Sequence, residues 1–159
     1  MLKNLTTLIF ASFMLINLTA CDNKKEATTP STASEAVSVI NPHIRAMPPG
    51  QKVTAMYFEL KNKGNTQHEL VTVISEQEIS NSIELHTHTN NNGVMQMGEV
   101  ESIPVGPKSS TFAKPGGYHV MIMGLKDTLK IGEKHNFMLL FKDGSSTEIT
   151  AEVKTLKMH

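Results

Sequence analysis

Phe137-Met138-Leu139-Leu140-Phe141, then Lys142-Asp143-Gly144-Ser145, then Glu148-Ile149-Thr150-Ala151-Glu152-Val153 reads as two extended runs around a tight turn. Asp-Gly between such runs is a strong short-range hairpin signal, because both residues tolerate positive φ. Working outward, the same texture of short β-type runs and Gly, Pro, Asn or Asp punctuation continues back to about Ala36, with no long stretch of helical periodicity. The predicted strands are Val37 to Ile44, Thr54 to Lys61, Glu69 to Ile74, Ser82 to His88, Val94 to Val100, Ser109 to Phe112, Tyr118 to Met123, Asn136 to Lys142 and Thr147 to Val153. Lys63-Gly64-Asn65 supplies a second turn. That many short strands predicts an all-β sandwich or barrel. Val53, Tyr57, Phe58, Phe137, Leu139 and Phe141 suffice for one core, and Met138 between Phe137 and Leu139 reads as part of it.

The N-terminal segment has a different composition. Lys3 is the only charge in the first 21 residues, Leu5 to Leu18 is mostly apolar, and Leu18-Thr19-Ala20 sets small residues before Cys21. This is the pattern of an export signal, and Leu18-Thr19-Ala20-Cys21 resembles the lipobox of a bacterial lipoprotein. The resemblance implies that residues 1–20 are removed and Cys21 becomes a lipidated N-terminus. Asp22 resembles the signal that keeps lipoproteins at the inner membrane. An uncleaved anchor fits less well, because a spanning helix needs about 20 mainly apolar residues. From Asp22 to Glu35 no large hydrophobe occurs, so residues 21–35 are expected to form the lipidated Cys and a flexible linker. Its 14 residues after the Cys would reach about 46 Å stretched, or roughly 20 Å as a coil. The folded domain is then expected over residues 36–159.

The chain has 159 residues, and its 15 Lys and Arg balance its 15 Asp and Glu. No basic face is indicated, which argues against a nucleic-acid partner. A single Cys excludes an internal disulfide, a Cys-rich zinc site and a thioredoxin-like pair. No nucleophile elbow, phosphate loop or paired-carboxylate motif stands out, so enzymatic activity is not indicated.

Chemistry gathers between positions 86 and 123 as three period-2 sets: His86 with His88, Met95 with Met97, and His119 with Met121 and Met123. Residues i and i+2 of a strand share a face, so each set aims its nitrogen or sulfur atoms one way, and three neighbouring strands would let them converge. Each set also has a plainer reading. The methionines would serve as core filling, and the two histidines would be solvated surface residues. Taken together they favour a metal site. Thioether sulfur is soft and suits Cu(I), whereas hard cations want oxygen and zinc favours thiolate, imidazole or carboxylate. A blue-copper electron carrier needs a Cys thiolate, and none follows Cys21.

His86, ten residues, Met97, twenty-one residues, His119, one residue and Met121 reproduce the His-x10-Met-x21-His-x-Met spacing of the periplasmic PCu(A)C copper chaperones. Gly93-Val94-Met95-Gln96-Met97, Lys114-Pro115-Gly116-Gly117-Tyr118-His119-Val120-Met121-Ile122-Met123-Gly124-Leu125-Lys126 and Leu139-Leu140-Phe141 are also similar to that family. The resemblance runs from about Ala36 to Val153. It implies a cupredoxin-like Greek-key β-barrel or sandwich that binds Cu(I) through His86, Met97, His119 and Met121. It also implies delivery of the ion to a cuproenzyme, chiefly the CuA centre of cytochrome oxidase subunit II, often beside Sco-type proteins, on the periplasmic side of the inner membrane.

His88 stands where the family commonly has Met, and Gly98 where it often has a basic residue. His88 adds an imidazole suited to Cu(II), and Met95 and Met123 are possible further ligands. The competing expectations are a lipoprotein that only buffers periplasmic copper, or a β-sandwich binding module without metal. His43, His68 and His135 read as surface or loop residues and Met47 as a loop residue. The Met158-His159 end reads as frayed, with recruitment of an extra ion as the lesser alternative.

Overall fold

The computed structural model describes residues 32–156. Cys21, Asp22 and the Met158-His159 end therefore lie outside the described residues, as does most of the expected linker. The order is a short helix α1 (Ala33–Ala36), then β1 (Val37–Arg45), β2 (Val53–Asn62), β3 (His68–Ser75), β4 (Ser82–Asn91), β5 (Val94–Glu99), β6 (Ile103–Val105), β7 (Ser110–Ala113), β8 (His119–Met123), β9 (Lys134–Phe141) and β10 (Ser146–Lys154). All nine predicted strands are present, with ends shifted by up to three residues. β6 was not expected. It is three residues long and carries Pro104, which a strand tolerates at a sheet edge because the missing N–H need not enter a ladder. β6 is indeed the last strand of its path.

The hydrogen-bonded path runs β5, β4, β8, β2, β1, β10, β9, β3, β6, with β7 also on β2. Its two end strands differ, so the sheet is open and folds over itself as a sandwich. β1 joins the halves. It pairs antiparallel with β2 and parallel with β10, and its register slips between Ile40 and His43, where Asn41 takes φ 51°. Buried side chains from both halves meet inside, among them Ile44, Met56, Leu60, Leu70, Val120, Ile122, Phe137, Leu139 and Val153. Strand alternation sends Met138 and Leu140 to the other face of β9, where they are half-buried rather than core. Val53, expected in the core, is likewise exposed at 39%.

Asn62 closes the sandwich at one end. Its side-chain amide donates to the carbonyls of Thr66, Val105 and Gly106 and its oxygen accepts from the Gly64 N–H. This satisfies a buried polar group and backbone groups of two turns together.

The β9–β10 hairpin forms as the sequence requires, with Gly144 at φ 84° and the Gly144 N–H donating to the Phe141 carbonyl. Asp143 does more than turn the chain. Its carboxylate accepts from Ser145 and, at 2.6 Å, from the Ala33 N–H. Burial pushes the Asp143 pKa up, yet these hydrogen bonds outweigh it and hold the acid below its usual range. Ala33 and Ala36 are almost fully buried, so the domain starts three residues earlier than the sequence boundary at Ala36 suggests. Thr32-Ala33-Ser34-Glu35 carries the Thr-x-x-Glu pattern of a helix start, with the Thr32 N–H donating to Glu35. Among the described residues no helix is long and apolar enough to cross a membrane.

Candidate metal centre

β5, β4 and β8 are consecutive in the sheet, so the three period-2 sets fall on adjacent strands. His86 stands opposite His119, Glu84 opposite Met121, and His88 opposite Met97. Paired residues share a face, so His86, His88, Met97, His119 and Met121 all lie on one side of the sheet. The intervening Leu85, Val120 and Ile122 are buried on the other and belong to the core. The core thus fixes which way the nitrogen and sulfur atoms point.

Met97 and His119 are separated by the whole width of β4, yet their side chains meet above it with His119 Nε2 3.3 Å from Met97 Sδ. His119 is 3% exposed and Met97 50%. The filling role considered for Met97 and Met95 therefore does not hold, since both stand largely in solvent. His119 Nδ1 lies 2.9 Å from the Gly117 carbonyl, which can only accept, so Nδ1 carries the proton and Nε2 presents a lone pair. Burial lowers the His119 pKa, and the neighbouring His88 and His86 lower it further against the opposing Gly117 hydrogen bond. The ring is accordingly neutral at neutral pH. Two electron-pair donors then face each other with no hydrogen between them, an arrangement that a cation relieves. Nitrogen and sulfur bound to one first-row ion at ~2.0 and ~2.3 Å stand about 3.5 Å apart at a tetrahedral angle, close to the spacing here.

Two further imidazoles surround this pair. The ring centroids of His88 and His86 lie 5.2 and 6.0 Å from that of His119. His88, Met97, His119 and Met121 border an open cleft of about 480 Å³ whose far wall includes Arg45 and Tyr57. His86 sits to one side of the cleft, with Nε2 2.9 Å from Glu84 Oε2. The Nδ1 atoms of His86 and His88 are buried without a hydrogen-bond partner. Burial raises the Tyr57 pKa despite the adjacent Arg45 guanidinium, so the phenol remains protonated.

The structure thus brings His86, His88, Met97, His119 and Met121 together. Met95, opposite Asn90, and Met123, opposite Ser82, share the face but stand at its two ends and do not border the cleft. No group of three or more His, Cys, Asp or Glu among the described residues is placed to hold a metal, and the further donors on this face are methionine sulfurs. Sequence reading missed Glu84, although it lies two residues before His86 and so on the same face. It also missed Arg45 and Tyr57, which reach the cleft only through the pairing of β1 with β2 and of β2 with β8.

The three histidines expected on the surface or in loops are all on strands. His43 lies against Tyr57, His135 is only 15% exposed beside Glu133, and His68 is buried next to Asp143. All three stand apart from the cleft.

A family model described as "Putative lipoprotein LpqE-like" matches residues 37–153, from the first residue of β1 almost to the end of β10. The chain belongs to the LpqE-like family. This LpqE-like chain is 33% identical over 146 residues to "Putative lipoprotein Lxx21020" of Leifsonia xyli subsp. xyli (strain CTCB07), a match covering 89% of this chain and 84% of that one. Among solved structures it is similar to the apo PCuAC domain from PmoF1, with 25% identity and a TM-score of 0.63 over 76% of this chain and 95% of that one. It is also similar to the Cu(I) form of DR1885 from Deinococcus radiodurans, with 30% identity and a TM-score of 0.58 over 78% and 83% of the two chains. The LpqE-like fold is thus the cupredoxin-like β-sandwich of PCuAC domains.

Proposed function

We propose that this protein is a metallochaperone that carries Cu(I) on the face of β4, β5 and β8, held by His86, Met97, His119 and Met121 with His88 beside them. One observation carries the reading: a neutral imidazole lone pair directed at a thioether 3.3 Å away, half open to solvent. The likeness to a protein solved with Cu(I) supports the metal. Neutral sulfur ligands bind a soft monovalent ion without a fixed anionic cage. The exposure of Met97 gives an incoming ligand a route to displace it, so the site suits transfer as well as holding.

In this reading Cys21 is lipidated and tethers the domain to the periplasmic side of the inner membrane. The acceptor is a cuproenzyme, the CuA centre of cytochrome oxidase subunit II or a Sco-type protein working with it. The lipoprotein names of the family and of the Leifsonia relative support the anchor.

Anaerobic titration followed by X-ray absorption tests the site: one Cu(I) per chain with two sulfur and at least two nitrogen neighbours is expected, and a sphere without sulfur refutes it. Delivery is tested by deletion of the gene in copper-poor medium. Oxidase assembly should fail; normal assembly with heightened sensitivity to excess copper would identify a buffer instead.

Proton competition gives a further check. His119 keeps its lone pair to below the ordinary imidazole pKa of about 6.5, because burial lowers its value in the fold. Cu(I) affinity is therefore expected to be weaker at pH 5 than at pH 7, and equal affinities would contradict imidazole ligation. The metal-free domain should respond in the same sense. The unfolded chain takes up this proton near pH 6.5 while the folded one resists it, so stability declines as pH falls from there towards the lowered value.

A further inference from the structure

We infer that Glu84 is a positioning residue that decides which nitrogen of His86 meets the ion, so that His86 binds through Nδ1 while His119 binds through Nε2. The inference rests on the copper site proposed above. Glu84 and His86 occupy alternate positions of β4 and share its metal-facing side, with Glu84 Oε2 2.9 Å from His86 Nε2. A carboxylate accepts, so Nε2 is the ring atom that carries the hydrogen. Nδ1 is then the unprotonated nitrogen, and it is buried with no hydrogen-bond partner. A buried acceptor left unmatched, on a ring whose centroid lies 6.0 Å from that of His119, is an atom open to a ligand.

The Gly117 carbonyl does the converse for His119, holding Nδ1–H and freeing Nε2. The two rings approach the site from paired positions on β4 and β8 but are locked in opposite tautomers by different acceptors. Glu84 also stands directly across from Met121. One carboxylate therefore flanks both a nitrogen and a sulfur donor and sets a negative charge beside an otherwise neutral ligand group. Metal-ligating histidines commonly pass their other N–H to such a carboxylate, which orients the ring and raises its basicity.

Long-range proton-nitrogen NMR of the metal-free full chain at pH 8 reads the tautomers directly. His86 is expected as the Nε2–H form and His119 as the Nδ1–H form; finding His86 as Nδ1–H overturns the inference. Glu84→Gln keeps an acceptor, so it should preserve the His86 tautomer and lose only a few-fold in Cu(I) affinity. Glu84→Ala should release the tautomer and weaken binding roughly 10- to 100-fold. In a His86→Ala background the Glu84→Ala loss should vanish, and a loss of undiminished size there would also overturn the inference. If His86→Ala alone leaves affinity unchanged, the role of Glu84 falls. The copper site itself is judged separately, by substitution of its sulfur ligands.

Discussion

Replacing Met97 and Met121 together by Leu is expected to remove tight Cu(I) binding while leaving the domain folded. Met97 and Met121 are the strand-borne sulfurs that border the cleft, which Met47 from the segment after β1 also lines, and no group of three or more His, Cys, Asp or Glu among the described residues is placed to hold a metal. The loss should exceed the roughly 10- to 100-fold that follows from removing a partner of a ligand. Leucine nearly conserves the volume of methionine, and such exchanges usually cost less than about 1.5 kcal/mol. Met97 is half exposed and Met121 only partly buried, so the cost here should lie at the low end. Competition with a Cu(I) chelator, together with thermal unfolding of the same samples, measures both quantities. Unchanged affinity would leave copper without its proposed seat.

The largest effect on stability is expected at Phe137, fully buried in the middle of β9 opposite Ile149 of β10 and Ser75 of β3. Phe137→Ala should cost about 3–5 kcal/mol, combining lost burial with an unfilled cavity. That is a large share of the roughly 5–15 kcal/mol by which domains are stable. Urea unfolding gives the value, and a change below about 1 kcal/mol would show that the two halves do not close on this ring. Cu(I) affinity of the folded fraction should not move, because Phe137 lies on none of the strands that bear the proposed ligands.

The strands were legible because the chain advertises them locally. Asp143-Gly144 between apolar runs marks the last hairpin, and Val120 and Ile122, alternating with Met121 and Met123, are the residues of β8 that turn to the core. β6 was hidden by its length and by Pro104, whose usual meaning is to end a strand. α1 was hidden by composition: Thr, Ala, Ser and Glu resemble a linker, and only contact with Asp143 from the far end of the chain makes Ala33 an interior residue. The period-2 sets could be read, but not their adjacency, which depends on β4 lying between β5 and β8. Glu84 was overlooked because a single acid on a half-buried strand carries no signal until the ring beside it is seen.

The place where the chain enters the sandwich bears on how cargo would be presented. Val37, directly after α1, pairs with Asn62 at one end of β2, whereas Met121 pairs with Ala55 seven positions away. At the rise of a strand this separates the entry point from the Met121 level of the candidate site by about 23 Å. The candidate site therefore lies along the sheet away from the point where the N-terminal segment joins the domain, so whatever that segment is attached to leaves the cleft uncovered at the opposite end.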